Sequence, residues 1–108
     1  SFVISRDASQ GDAIFADYVD KQVKSAEQQL PEFKLVQRWD TVLHAHAATL
    51  LDYTWKREGR ELMLRQMFIE RKPAVLITTL TTTPSDLVHH ETAWKIAMSS
   101  LKPLVSGT

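Results

Sequence analysis

Residues 61–70 read ELMLRQMFIE. The segment has the length and composition of a β-strand, but both of its faces are apolar. Leu62, Leu64, Gln66 and Phe68 fall on one side, and Met63, Arg65, Met67 and Ile69 on the other. A half-solvated strand alternates apolar with polar residues, because successive side chains point to opposite faces. This one does not, so both faces need cover. It also sets an uncharged amide, Gln66, in the middle of an apolar row.

The flanking segments place this strand in a sheet. Upstream, REGR (Arg57–Arg60) reads as a hairpin turn, with Gly59 supplying a positive φ. Before it, His46–Lys56 forms a long strand rich in Leu, Tyr, Thr and Trp. Phe33–Val42 forms another, with Phe33, Leu35, Gln37 and Trp39 on one face. Downstream, Lys72-Pro73 marks a turn, and the β-branched run Ala74–Thr82 is a strand. The chain opens on a further strand, Ser1–Arg6.

Two helices complete the pattern. Ser9 is a candidate cap with Asp12 three positions on, and Pro31 stops the helix at about Leu30. Phe15, Val19, Val23, Ala26 and Leu30 recur at helical spacing as the buried stripe, with Gln22 at its edge. Thr83-Pro84 suits a second helix start, and Trp94, Ala97, Met98 and Leu101 continue it to about Lys102-Pro103. Residues 104–108, LVSGT, read as a frayed tail. Consecutive strands with short turns form an antiparallel meander. The expectation is an α+β fold in one domain over residues 1–108, five strands, with both helices on one sheet face. The other apolar face would then need a dimer partner, a further segment or a ligand. The chain does not begin with Met and opens directly on a strand, so upstream sequence is expected to be missing.

Composition limits the function. The 108 residues are 44% apolar and 24% charged, an ordinary globular balance. Thirteen basic and thirteen acidic side chains cancel, which argues against nucleic acid or an anionic membrane surface as partner. There is no cysteine, hence no disulfide or thiolate metal site, as in a cytoplasmic protein. No apolar run reaches the roughly 20 residues of a membrane span. His44, His46, His89 and His90 lack the spacing of a metal motif and read as turn and surface histidines. With no phosphate loop or nucleophile elbow, neither an enzyme nor a cofactor is expected.

Several blocks are more particular. AEQQLPEFKL (Ala26–Leu35), HAHAATLLDY (His44–Tyr53), the run from REGR through LRQMFIERKPAVLITTLTTTP, and HHETAWK (His89–Lys95) together resemble the Eag chaperones of type VI secretion. These belong to the DcrB-like group with a PsbP-like fold. The resemblance extends from Phe2 through Leu101. It implies a homodimeric cytoplasmic chaperone that holds the N-terminal transmembrane helices of a secreted effector before loading onto the secretion spike. It also implies a client groove that includes Val3, Gln22, Ala26, Leu30, Leu62 and Gln66. Members carry a further N-terminal segment, which leaves one groove wall unassigned here. On this reading Gln66 offers hydrogen bonds inside an apolar groove; alternatively it bonds within its own chain. Two rival readings are a small-ligand or lipid carrier using the same apolar face, and a histidine-based enzyme or metal protein.

Overall fold

A computed structural model describes residues 2–102. Five antiparallel strands form one sheet: β1 (Phe2–Asp7), β2 (Lys34–Leu43), β3 (His46–Arg57), β4 (Arg60–Arg71) and β5 (Ala74–Thr82). Their order is β1-β5-β4-β3-β2, so β4, the strand that is apolar on both faces, is the middle one. Helix α1 (Phe15–Gln29) follows β1, and α2 (Glu91–Ser100) ends the described chain after a 3-10 turn at Leu87–His90. Pro103 and the tail expected to fray lie outside the described residues.

The turns follow local chemistry. Glu58 and Gly59 both take positive φ, 52° and 77°, and join Arg57 to Arg60 in the two-residue hairpin expected from REGR. His44 and Ala45 do the same between Leu43 and His46, at 52° and 69°. Lys72-Pro73, with a cis bond, connects β4 to β5.

The helices occupy opposite faces of the sheet, which corrects the expectation of a shared face. Trp94, Met98 and Leu101 of α2 and its end pack with Met67, Ile69, Ala48 and Leu80. Tyr18 and Val19 of α1 pack with Phe68, Leu51, Tyr53 and Val75. Phe68 alternates with Met67 and Ile69, so the clusters lie on the two sides of β4. Each apolar row of the middle strand has its own helix. The second face therefore is not left waiting for another molecule.

Arg65 is the one charge among the buried residues of the α2-side row, Met63, Arg65, Met67 and Ile69. It is 9% exposed and sits opposite Asp52, which is 2% exposed. Its Nε and Nη2 donate to the two Asp52 carboxylate oxygens at 2.8 and 3.0 Å, while Nη1 donates to Glu91 at 3.1 Å. The guanidinium also lies 5.5 Å from the Trp94 ring centre. Glu91 is the first residue of α2, so this one side chain ties that helix to the middle of the sheet.

Both helices start later than the sequence suggested. Ser9 does not cap α1: its N–H and hydroxyl donate to the Asp7 carboxylate at 2.9 Å each. Gly11 then takes φ 55°, outside the helical region, and the helix begins at Phe15 after an uncapped Ile14. At the other end, Asp86 and Leu87 N–H donate to the Thr83 carbonyl, closing a turn before the 3-10 segment. Val19 and Trp94, expected in the core, are 0% and 6% exposed, while Phe15 and Val23 are half-buried.

The buried ion cluster gives a stability prediction. Arg65→Met leaves the Asp52 charge buried without its partner and should cost about 3–5 kcal/mol. Asp52→Leu combined with Arg65→Met should cost less than the sum of the single changes, because no charge is then stranded. Urea unfolding of the two single variants and the double variant measures the coupling. Additive costs would show that the pair does not anchor the fold.

Candidate functional site

On the α1 side the sheet is longer than its cover. Strands β3 and β4 have 12 residues each, about 40 Å of strand. Helix α1 has 15 residues, about 22 Å. Beside the second half of the helix a groove of about 260 Å³ remains. Gln22, Ser25, Ala26 and Gln29 form its helical wall and Leu30 its end. Tyr53, Trp55, Leu64 and Gln66 form its floor.

Four of the six residues expected in a client groove therefore converge: Gln22, Ala26, Leu30 and Gln66. Leu62 lies on the same face, two residues along β4 from Leu64 and paired with Trp55. It borders a separate hollow with Arg57, Glu58 and Arg60 at the hairpin end. Val3 is 54% exposed on edge strand β1. Thr79 of β5 stands between it and Gln66, in one row across the sheet.

Gln66 is half-buried, and both ends of its amide are engaged within the chain. Tyr53 Oη donates to Gln66 Oε1 at 3.0 Å, and Gln66 Nε2 donates to Thr79 Oγ1 at 3.2 Å. These two bonds hold the side chain between its neighbours on β3 and β5. An amide has two N–H donors and two acceptor lone pairs, so one of each remains for a further partner. Trp55 Nε1, buried in the same region, has no hydrogen-bond partner among the described residues. The floor thus combines apolar surface with neutral polar groups and no charge.

The sequence reading missed Ser25, Gln29, Tyr53, Trp55 and Leu64. The signals were present. Gln22, Ser25, Ala26 and Gln29 follow the i, i+3, i+4, i+7 spacing of one helix face. Leu64 stands between Leu62 and Gln66 on the face already identified. Tyr53 and Trp55 share a face of β3, but only the β3–β4 register brings them beside Gln66 and Leu62.

The histidines take another course. His44 Nε2 lies 2.9 Å from the Met98 carbonyl oxygen, joining the β2–β3 turn to α2. Among the described residues no three His, Asp or Glu side chains gather as metal ligands, and no helix is long and apolar enough to cross a membrane.

Comparisons with known proteins agree with this architecture. The DcrB family pattern matches residues 1–100. The curated Pseudomonas aeruginosa protein named Effector EagT6 is 74% identical over 103 residues, 95% of this chain and 72% of the relative. A crystal structure of a Pseudomonas aeruginosa protein of unknown function superposes with TM-score 0.85 at 75% identity, covering 90% of this chain and 67% of that one. LpqN of Mycobacterium tuberculosis, involved in cell envelope biogenesis, shares the fold at TM-score 0.55 and 16% identity, over 82% of this chain and 52% of its own.

The floor tyrosine is also a spectroscopic handle. The chain has two tyrosines, Tyr18 and Tyr53. Burial pushes the Tyr53 hydroxyl up to about 12. Tyr18 is raised too, by burial and by its 2.6 Å hydrogen bond to Asp7, a bond that in turn lowers Asp7. Unfolded tyrosine ionises near pH 10. A raised folded pKa means the stabilisation is fully present below about pH 10 and is lost as pH rises towards about 12. Tyrosinate absorbance of the native protein should therefore lag that of the urea-unfolded protein. A native titration already complete near pH 10 would show that neither hydroxyl is held as described.

Proposed function

This chain belongs to the DcrB family, and from that membership and the groove we propose that it is an Eag-type chaperone for a type VI secretion effector. It holds apolar N-terminal helices of the effector in the cytoplasm until loading onto the secretion spike. The observation that carries the reading is the composition of the groove. Leu30, Leu64 and Trp55 give apolar contact, and Ala26 permits close approach of a helix. Gln22, Ser25, Gln29 and Gln66 are neutral, so they meet the polar positions of a membrane helix without burying a charge. Leu62 and the exposed Val3 extend the same face beyond the groove.

A small-ligand carrier fits less well. Ligand pockets commonly enclose roughly 300–1,000 Å³ and bury most of their occupant. This groove is smaller and lies open along the helix, which suits an elongated partner.

The test compares four variants by thermal melting and by binding of a fluorescent Leu/Ala/Gly helix of about 20 residues, a membrane-span length. Leu62→Asp should abolish binding, because it sets a charge where apolar helix must lie. Gln66→Ala should weaken binding by about 1 kcal/mol, the loss of one or two hydrogen bonds. Val19→Asp, at a position with 0% exposure, should destroy the fold itself. If Leu62→Asp melts the protein as badly as Val19→Asp, Leu62 belongs to the core and the site is elsewhere. Peptide binding unchanged both by Leu62→Asp and by Leu64→Asp, which sets the charge on the groove floor itself, would reject the groove as the client site.

A further inference from the structure

The face that carries the groove does not stop at Leu62. Every second residue of a strand shares a face. On the α1 side Tyr53 and Trp55 of β3 are therefore followed by Arg57, and Gln66, Leu64 and Leu62 of β4 are followed by Arg60. Arg57 and Arg60 stand directly opposite each other, as the pair that flanks the two-residue turn. With Glu58 and Leu62 they line a hollow of about 290 Å³.

This arrangement is unfavourable in the chain by itself. Opposite charges facing each other across two strands stabilise a sheet, and like charges destabilise it. The other face of the same hairpin follows the rule, with Lys56 opposite Glu61. Arg57 and Arg60 break it. Both are exposed, and neither has a hydrogen bond or an ion pair with any described residue, Glu58 of the same hollow included. The nearby Glu32 pairs with Lys56 instead, at 3.8 Å. Two guanidinium groups, each with five N–H donors, thus stand at the open end of an apolar floor.

A helix lying on that floor has two unlike ends. Its last four carbonyls have no partner within the helix and form the negative end of its dipole. Arginine side chains satisfy such carbonyls. The first end offers N–H groups and a positive potential, which a pair of guanidinium groups repels. The neutral groups of the groove do not make this distinction, because the amides of Gln22, Gln29 and Gln66 and the hydroxyl of Ser25 both donate and accept. The arginine pair does.

We infer that Arg57 and Arg60 set the direction of the bound helix: its C-terminal end lies over the β3–β4 hairpin, and an acidic residue at that end is preferred. The inference rests on the chaperone reading and adds the polarity of the client to it. The client then runs the same way as α1, whose own C-terminal end is beside the hairpin, where the Lys56 N–H donates to the Pro31 carbonyl at 3.0 Å. A carboxylate bridging the two guanidinium groups also removes the repulsion between them, so the pair gains more from an anionic partner than an isolated arginine would.

The test uses three Leu/Ala/Gly peptides of about 20 residues, blocked at both termini. One ends in two aspartates, one begins with two, and one is uncharged. The first should bind about tenfold tighter than the uncharged peptide, the scale of a hydrogen bond to a charged group. The second should bind no tighter. Aspartate favours the start of a helix over its end, so peptide helicity works against this order and does not imitate it. Arg57→Gln combined with Arg60→Gln should bring the first peptide to the affinity of the uncharged one, and high salt should do the same in the wild type. Thermal melting separates binding from folding: each single variant relieves the repulsion and should melt no lower than the wild type. A lower melting temperature for either shows that the pair serves the fold of its own chain, and overturns the inference. So does a preference for the peptide that begins with aspartates, or a preference for the first peptide that survives the double change. Equal binding of all three peptides sinks the polarity and leaves the chaperone reading standing. If none of them binds, the chaperone reading fails and this inference with it.

Discussion

A guanidinium buried in the middle of a sheet must be given anions, and much of this fold follows from how that is done. Arg65 points into the α2 side of the central strand. Desolvating it unpaired would cost several kcal/mol. Asp52, directly opposite on β3, takes two of its N–H groups, and Glu91 takes a third. Trp94 covers the cation from above. The requirement therefore links the β3–β4 register to the position of α2. The α1 side is assembled differently. There the helix is held by an apolar stripe, by the Tyr18–Asp7 hydrogen bond and by the surface ion pair of Asp20 with Arg38 of β2.

The sequence displayed the strands well, because each signal was local. The β-branched run at Ala74–Thr82 and the turn residues at Glu58-Gly59 depend on their own neighbours, and the strand and turn are where those residues suggested. The helix starts were less legible. Ser9 is a good cap in isolation, but its hydroxyl is taken by Asp7, and a local pattern does not report that competition. The assignment of both helices to one face failed for a related reason. A strand apolar on both sides states that two covers exist without saying where they come from. Arg65 held the missing information: a charge in one row needed an acidic partner from outside the strand, and Glu91 at the head of the second helix supplies it.

The groove was legible in proportion to periodicity. Gln22, Ala26 and Leu30 lie on one helix face by spacing alone, and Gln66 stands out as an amide in an apolar row. Their convergence required the tertiary arrangement. The bonds of Gln66 to Tyr53 and Thr79 were open to either reading in the sequence, and they change the character of the site. A free glutamine side chain would need to be ordered by whatever it binds. This one is already oriented, so less conformational entropy is lost when a further partner uses its remaining donor and acceptor.

Helix α1 is anchored unevenly. Its buried residues are Tyr18 and Val19, near its start, whereas Val23, Ala26 and Leu30 are half-buried. Lifting the second half of the helix exposes less additional apolar surface than lifting the first. Local opening should thus be graded along the helix, with amide hydrogens past Val23 exchanging sooner than those around Val19. That half is also the groove wall. The least costly breathing motion of the molecule is then one that changes the width of its groove without disturbing the sheet beneath it.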